Sequence, residues 1–130
     1  VLMIVVVAPG QGSQTPGFLE PWIADPAHRA RLEQYGEAAG IDLVAHGTVS
    51  DADTIRDTAI AQPLIVAASL LSAHALLEGR RERVGAVAGH SVGEFAAAAV
   101  AGVLTDTDAV RLVRERGLAM AEAAAAVPTG

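Results

Sequence analysis

The 130-residue chain contains no cysteine and no lysine. The first absence removes disulfides, thiolate chemistry and cysteine metal sites together, which fits a reducing compartment; a cytoplasmic protein with no bound metal is the expectation. The second leaves all nine basic side chains as arginine, against fifteen acidic ones, for a formal charge of −6. That balance argues against a protein that tracks nucleic-acid phosphates, so no nucleic-acid partner is expected. The opening apolar run, Leu2 to Ala8, is too short to span a bilayer. It lacks a basic flank and ends in a Pro9-Gly10 turn rather than a cleavage site, so it reads as a strand and no membrane association is expected.

What is present suits one domain with a real core, since 52% of the residues are hydrophobic and only 18% charged. The Leu2–Ala8 run is rich in Val and Ile without alternation, as in a central strand covered on both faces of a parallel sheet. It feeds Pro9-Gly10-Gln11-Gly12-Ser13-Gln14, a loop whose glycines let the backbone turn and present N–H groups to an anion. A nucleotide is a poor fit, because there is no Gly-Lys-Ser/Thr ending and no third glycine. Further on, Asp25-Pro26 starts a helix that buries Leu32, Tyr35 and Ala39 and ends at Gly40. Ser50-Asp51-Ala52-Asp53 resembles a capping box for a short helix, and Gln62-Pro63 opens a buried helix from Leu64 to Glu78. Arg80, Arg81 and Arg83 form a solvated turn before the next strand.

That strand, Val84 to Ala88, runs into Gly89-His90-Ser91-Val92-Gly93 and then an alanine-rich helix. A G-x-S-x-G pentapeptide between a strand and a helix is the pattern of a nucleophile elbow, in which the glycines tolerate the sharp turn and the serine hydroxyl is pushed out of the sheet. Ser91 is the candidate nucleophile; the rival reading is a tight turn whose serine only caps the helix. Gly102 ends the elbow helix, and Thr105-Asp106-Thr107-Asp108 caps a second helix to about Ala126. The first helix rises about 15 Å from Ser91, and the eleven residue steps from Thr105 to Arg116 return about as far at about 1.5 Å per residue. Arg116 thus comes back level with Ser91. Ala109, Val110, Val113, Gly117, Met120 and Ala124 share an apolar stripe, Arg111, Arg114, Glu115 and Glu122 point away, and Arg116 lies on the stripe's margin. A guanidinium there needs an anion, either the Glu94 carboxylate or a ligand carboxylate gripped bidentately.

Gly10-Gln11-Gly12-Ser13-Gln14, Gln62-Pro63, Gly89-His90-Ser91-Val92-Gly93-Glu94 and Arg116-Gly117-x-x-Met120 together resemble the malonyl-CoA:acyl carrier protein transacylases and the acyltransferase domains of fatty acid and polyketide synthases. The motifs stand in the same order and at the same spacing. Ala8, where many members have Phe, and Ala121, where Gln is frequent, are departures that leave the chemistry untouched. The resemblance implies malonyl transfer from coenzyme A to the phosphopantetheine thiol of acyl carrier protein through an acyl-Ser91 intermediate, with no bound cofactor. It implies oxyanion donors at the backbone N–H groups of Gln11 and Val92, and a malonyl-carboxylate anchor at Arg116. Gln62 has a supporting role near the site, beside the plainer reading of a helix-start amide bonded to backbone. His90 is the elbow neighbour.

The family's catalytic histidine lies beyond a ferredoxin-like subdomain and is absent from this chain. His28, His46, His74 and His90 are expected to be structural or solvated. The fold class expected is α/β, a mainly parallel sheet flanked by helices with right-handed crossovers, the N-terminal part of the large acyltransferase subdomain over residues 1–126. Residues 127–130 would begin the connection to the missing subdomain, leaving this chain poorly active alone. The alternatives are a serine hydrolase with the same elbow, of esterase or patatin-like type, and a non-catalytic fragment.

Overall fold

A computed structural model of the chain describes residues 2–127. Strands β1 (Ile4–Ala8) and β2 (Val84–Gly89) pair in parallel, with Val5 opposite Ala86 through Ala8 opposite Gly89 and a register shift next to Ile4. They are the only strands among the described residues. The opening strand was expected to be covered on both faces, and here it is not. Ala8 enters the core, whereas Val5 and Val7, which alternate to the other face, are 53% and 71% exposed. Helix α5 (Gly93–Val100) packs on both strands and covers one side.

Between the strands the chain makes four helices. In α1 (Pro26–Ala39), Asp25 accepts from the Ala27 N–H and proline occupies the first turn; Gly40, at a φ of 70°, closes the other end in the left-handed conformation. Its buried residues are Leu32, Tyr35, Gly36 and Ala39. A short helix not expected from the sequence, α2 (Leu43–Thr48), follows with Asp42 as its cap. For α3 (Ala52–Arg56) the cap is Asp51 rather than Ser50. Its carboxylate receives the Thr54 N–H, and that bond holds the acid below its ordinary pKa.

The central element is α4 (Thr58–Leu77), whose Leu64, Ile65, Val66, Ala67, Leu70 and Leu71 are all buried. It is long and apolar enough to cross a membrane, yet it packs against α1, α2, α3, α5 and α6 as the core of the fold. It also starts earlier than expected. Asp57 caps it by accepting from the Ala59 N–H, so Gln62 and Pro63 sit inside the helix rather than at its start. Proline at that position removes the helical hydrogen bond to the Ala59 carbonyl.

A 3-10 turn (Arg81–Arg83) with exposed arginines leads into β2, and α6 (Asp106–Ala126) follows α5 with Thr105 as its cap. Helix α6 runs antiparallel along α4. At one end Asp106 accepts from the Tyr35 hydroxyl at 2.7 Å and pairs with His74 Nε2 at 2.5 Å, tying α1, α4 and α6 together. Burial, reinforced by Asp106, pushes the Tyr35 phenol well above its ordinary pKa. At the other end Gly117 meets the first turn of α4. Beyond that point α6 passes the start of α4 and becomes largely exposed, although the Met120 sulfur still meets Gln62 Nε2 at 3.2 Å. The expected stripe is therefore buried through Ala109, Val110, Val113 and Gly117, while Met120 and Ala124 are exposed. Of the connection expected over residues 127–130, Pro128, Thr129 and Gly130 lie outside the described residues.

Candidate active site

The site forms where both strands end. The His90 N–H donates to the Ala8 carbonyl at 3.1 Å, one step past the ladder, and the chain then turns through Ser91. Ser91 has a φ of 53°, and it is the only described non-glycine residue with a positive value. Such backbone costs a side chain about 1–3 kcal/mol and persists where its surroundings enforce it. Here both flanking glycines are sterically required. A Cβ on Gly89 would lie 2.2 Å from the Gly93 carbonyl carbon, and one on Gly93 would lie 2.4 Å from the Ala8 oxygen. The elbow is thus squeezed between β1 and the start of α5, leaving Ser91 exposed above a buried Val92.

The loop after β1 lies alongside. Gly10 packs so closely on His90 that a Cβ there would stand 2.6 Å from its Nδ1. Gln14 fastens the loop by donating to the Ile55 carbonyl at 3.0 Å and accepting from the Gly12 N–H at 2.8 Å. Gln11 Nε2 donates to the Thr58 hydroxyl at 3.2 Å, linking the loop to the first turn of α4. Among the described residues, the backbone N–H groups of Gln11 and Val92 make no hydrogen bond to the protein. Donors left open beside a serine can receive an oxyanion.

Arg116 reaches Ser91 from α6. Its Nη2 donates to Ser91 Oγ at 3.1 Å and its Nη1 to Gln62 Oε1 at 2.7 Å, with the guanidinium carbon 5.9 Å from the centre of the Phe95 ring. Gln62 is 1% exposed, and its Nε2 points at the Met120 sulfur at 3.2 Å. Its side chain therefore serves Arg116, not the backbone. Glu94, considered as a structural partner, makes no ion pair with Arg116, and among the described residues no other carboxylate does. A guanidinium held by a neutral amide keeps its full charge for an incoming anion. Arg114, expected to point away, instead donates to the Ala59 carbonyl at 2.5 Å.

The four histidines are occupied or face elsewhere. His28 Nδ1 meets the Trp22 carbonyl at 3.1 Å, His46 Nδ1 meets Ser50 Oγ at 3.0 Å, His74 pairs with Asp106, and the His90 ring lies against Gly10. The Ser91 hydroxyl's hydrogen-bond partner among the described residues is Arg116. An arginine donates to a hydroxyl and does not remove its proton. Sequence reasoning missed Thr58, Phe95, Gln14 and Arg114, whose contributions depend on how α4, α5 and α6 meet.

Residues 5–129 match the acyl transferase domain family. The chain belongs to that family. It is 51% identical over 131 residues to the malonyl CoA-acyl carrier protein transacylase of Mycobacterium tuberculosis (strain ATCC 25618 / H37Rv), an alignment covering 98% of this chain and 43% of the relative. The crystal structure of MCAT from Mycobacterium tuberculosis superposes with a TM-score of 0.92 at 48% identity, again over 98% of this chain and 43% of that one. A malonyl-transacylase solved in complex with its type II PKS acyl-carrier protein gives a TM-score of 0.85 at 33% identity, covering 98% of this chain and 41% of that one. The chain thus spans about two fifths of the length of these acyl transferase relatives.

Proposed function

We propose that the protein carrying this chain moves a malonyl group from coenzyme A to the phosphopantetheine thiol of acyl carrier protein, in cytoplasmic fatty acid or polyketide synthesis. Coenzyme A thioester and phosphopantetheine are substrates, and no resident cofactor is invoked. The observation that carries the reading is Arg116 bridging Gln62 and Ser91, a full positive charge beside a strained serine. A malonyl thioester offers both partners at once, a carbonyl for the serine and a carboxylate for the arginine.

In the first half-reaction Ser91 Oγ attacks the thioester carbonyl. Its proton passes to a base supplied by sequence outside this chain, and the N–H groups of Gln11 and Val92 receive the oxyanion. Collapse expels the coenzyme A thiol, which takes that proton, and leaves malonyl esterified to Ser91. Arg116 exchanges its bond to the hydroxyl for the malonyl carboxylate, and Gln62 keeps the guanidinium aimed. In the second half-reaction the carrier thiol attacks the ester and Ser91 is regenerated. The chain would form the N-terminal part of the large subdomain. His90 would shape the oxyanion loop through its contact with Gly10 and take no proton. Transfer of radiolabelled malonyl from coenzyme A to holo acyl carrier protein, abolished by Ser91→Ala, tests the reading; transfer that survives the substitution contradicts it.

A further inference from the structure

Pro63 opens a gap in α4 that a residue of α6 fills. Proline has no N–H, so the carbonyl four residues earlier, that of Ala59, has no helical donor. Arg114 supplies one, its Nη1 reaching the Ala59 oxygen at 2.5 Å. The contact is part-buried, where an unpaired carbonyl is costly. It also lies one helical turn from the active site, because the turn that begins at Ala59 carries Gln62. Gly117 lets α6 seat closely on that turn: a Cβ there would stand 3.0 Å from the Thr58 oxygen, 3.3 Å from Ala59 Cα and 3.6 Å from Gln62 Cβ. Three bonds consequently converge on five residues of α4, from Gln11 to Thr58, from Arg114 to Ala59 and from Arg116 to Gln62.

We infer that Arg114 is a positioning residue for the malonyl anchor: by donating to the Ala59 carbonyl that Pro63 leaves free, it fixes the turn carrying Gln62 and so the aim of Arg116 at Ser91. The inference rests on the proposed function. Arg114 touches no substrate, and its effect passes through backbone. A lysine can make the same donation, whereas an alanine leaves the carbonyl bare. Replacing Pro63 by alanine restores the helical N–H and makes the donation unnecessary.

The test uses the full protein that carries this chain, with Arg114→Ala, Arg114→Lys and the double variant Pro63→Ala/Arg114→Ala, assayed for malonyl and acetyl transfer. Arg114→Ala is expected to lower the malonyl-to-acetyl ratio of kcat/KM about tenfold, the scale of one charge-assisted hydrogen bond, chiefly through the malonyl-CoA KM. Arg114→Lys and the double variant are expected to recover most of that ratio. Should Arg114→Ala not fold, the double variant still decides, since a ratio near wild type supports the repair and a tenfold loss overturns it. An unchanged ratio in Arg114→Ala, with malonyl transfer intact in the wild type, overturns the inference and spares the proposed function. A wild-type protein that transfers no malonyl at all overturns the proposed function first and the positioning role with it.

Discussion

Arg116 Nη2 lies 3.1 Å from Ser91 Oγ, although one residue sits in helix α6 and the other in the turn after β2, 25 positions apart. The helical hairpin of α5 and α6 makes that meeting, and Gln62 steadies it from α4. On the proposed function, the guanidinium that holds the Ser91 oxygen before substrate arrives would turn to the malonyl carboxylate afterwards, and one side chain would couple carboxyacyl selectivity to serine chemistry.

If Arg116 is that carboxylate anchor, Arg116→Ala should reduce kcat/KM for malonyl transfer about a hundredfold and acetyl transfer far less. Steady-state assays with the two coenzyme A thioesters measure the ratio. Equal losses for both acyl groups would make the arginine structural.

The neutrality of Gln62 matters as much as its reach. Gln62→Glu keeps an acceptor near Arg116 Nη1 but adds a competing negative charge, and it should raise the malonyl-CoA KM about tenfold with a smaller effect on acetyl-CoA. A KM that stays at the wild-type value would show that the amide only packs.

The elbow's glycines carry a stability prediction. Gly89→Ala would drive a Cβ to 2.2 Å from the Gly93 carbonyl, where neighbouring backbone cannot yield cheaply. A destabilisation of about 3 kcal/mol or more is expected in denaturant unfolding, with loss of activity. Near-wild-type stability would mean that the strand and helix are not packed as described.

Tyr35 gives a pH prediction. Its phenol is held above the ordinary value by burial and by Asp106, so the stability it contributes is complete below a pH of about 10 and fades as the pH rises toward the raised value. Urea unfolding of the wild type should show stability falling above that pH, more steeply than in Tyr35→Phe. The variant should lose about 1 kcal/mol at neutral pH for the missing bond to Asp106. Parallel pH profiles would count against the buried phenol as the cause.

Much of this was legible along the chain. Asp25-Pro26, Gly40 and Thr105 mark helix ends because capping is local chemistry, and the G-x-S-x-G turn announces itself because its glycines answer a steric demand at one place. Arg116 could be brought level with Ser91 by counting helical rise. What was hidden depends on partners from elsewhere. Pro63 reads as a helix start until Arg114, on another helix, is seen to satisfy Ala59. The bare face of β1 at Val5 and Val7 cannot be told from a covered one by composition, since both are apolar. Helix α2 was missed because six residues give too little periodicity to detect.

The most direct test of the central claim is the covalent state of Ser91. The protein that carries this chain, incubated with malonyl-CoA without acyl carrier protein and quenched, is examined by peptide mass spectrometry. The account requires one malonyl group on the peptide containing Ser91, lost on addition of holo acyl carrier protein and absent in Ser91→Ala. A protein that turns over malonyl-CoA without ever carrying malonyl at Ser91 would contradict it.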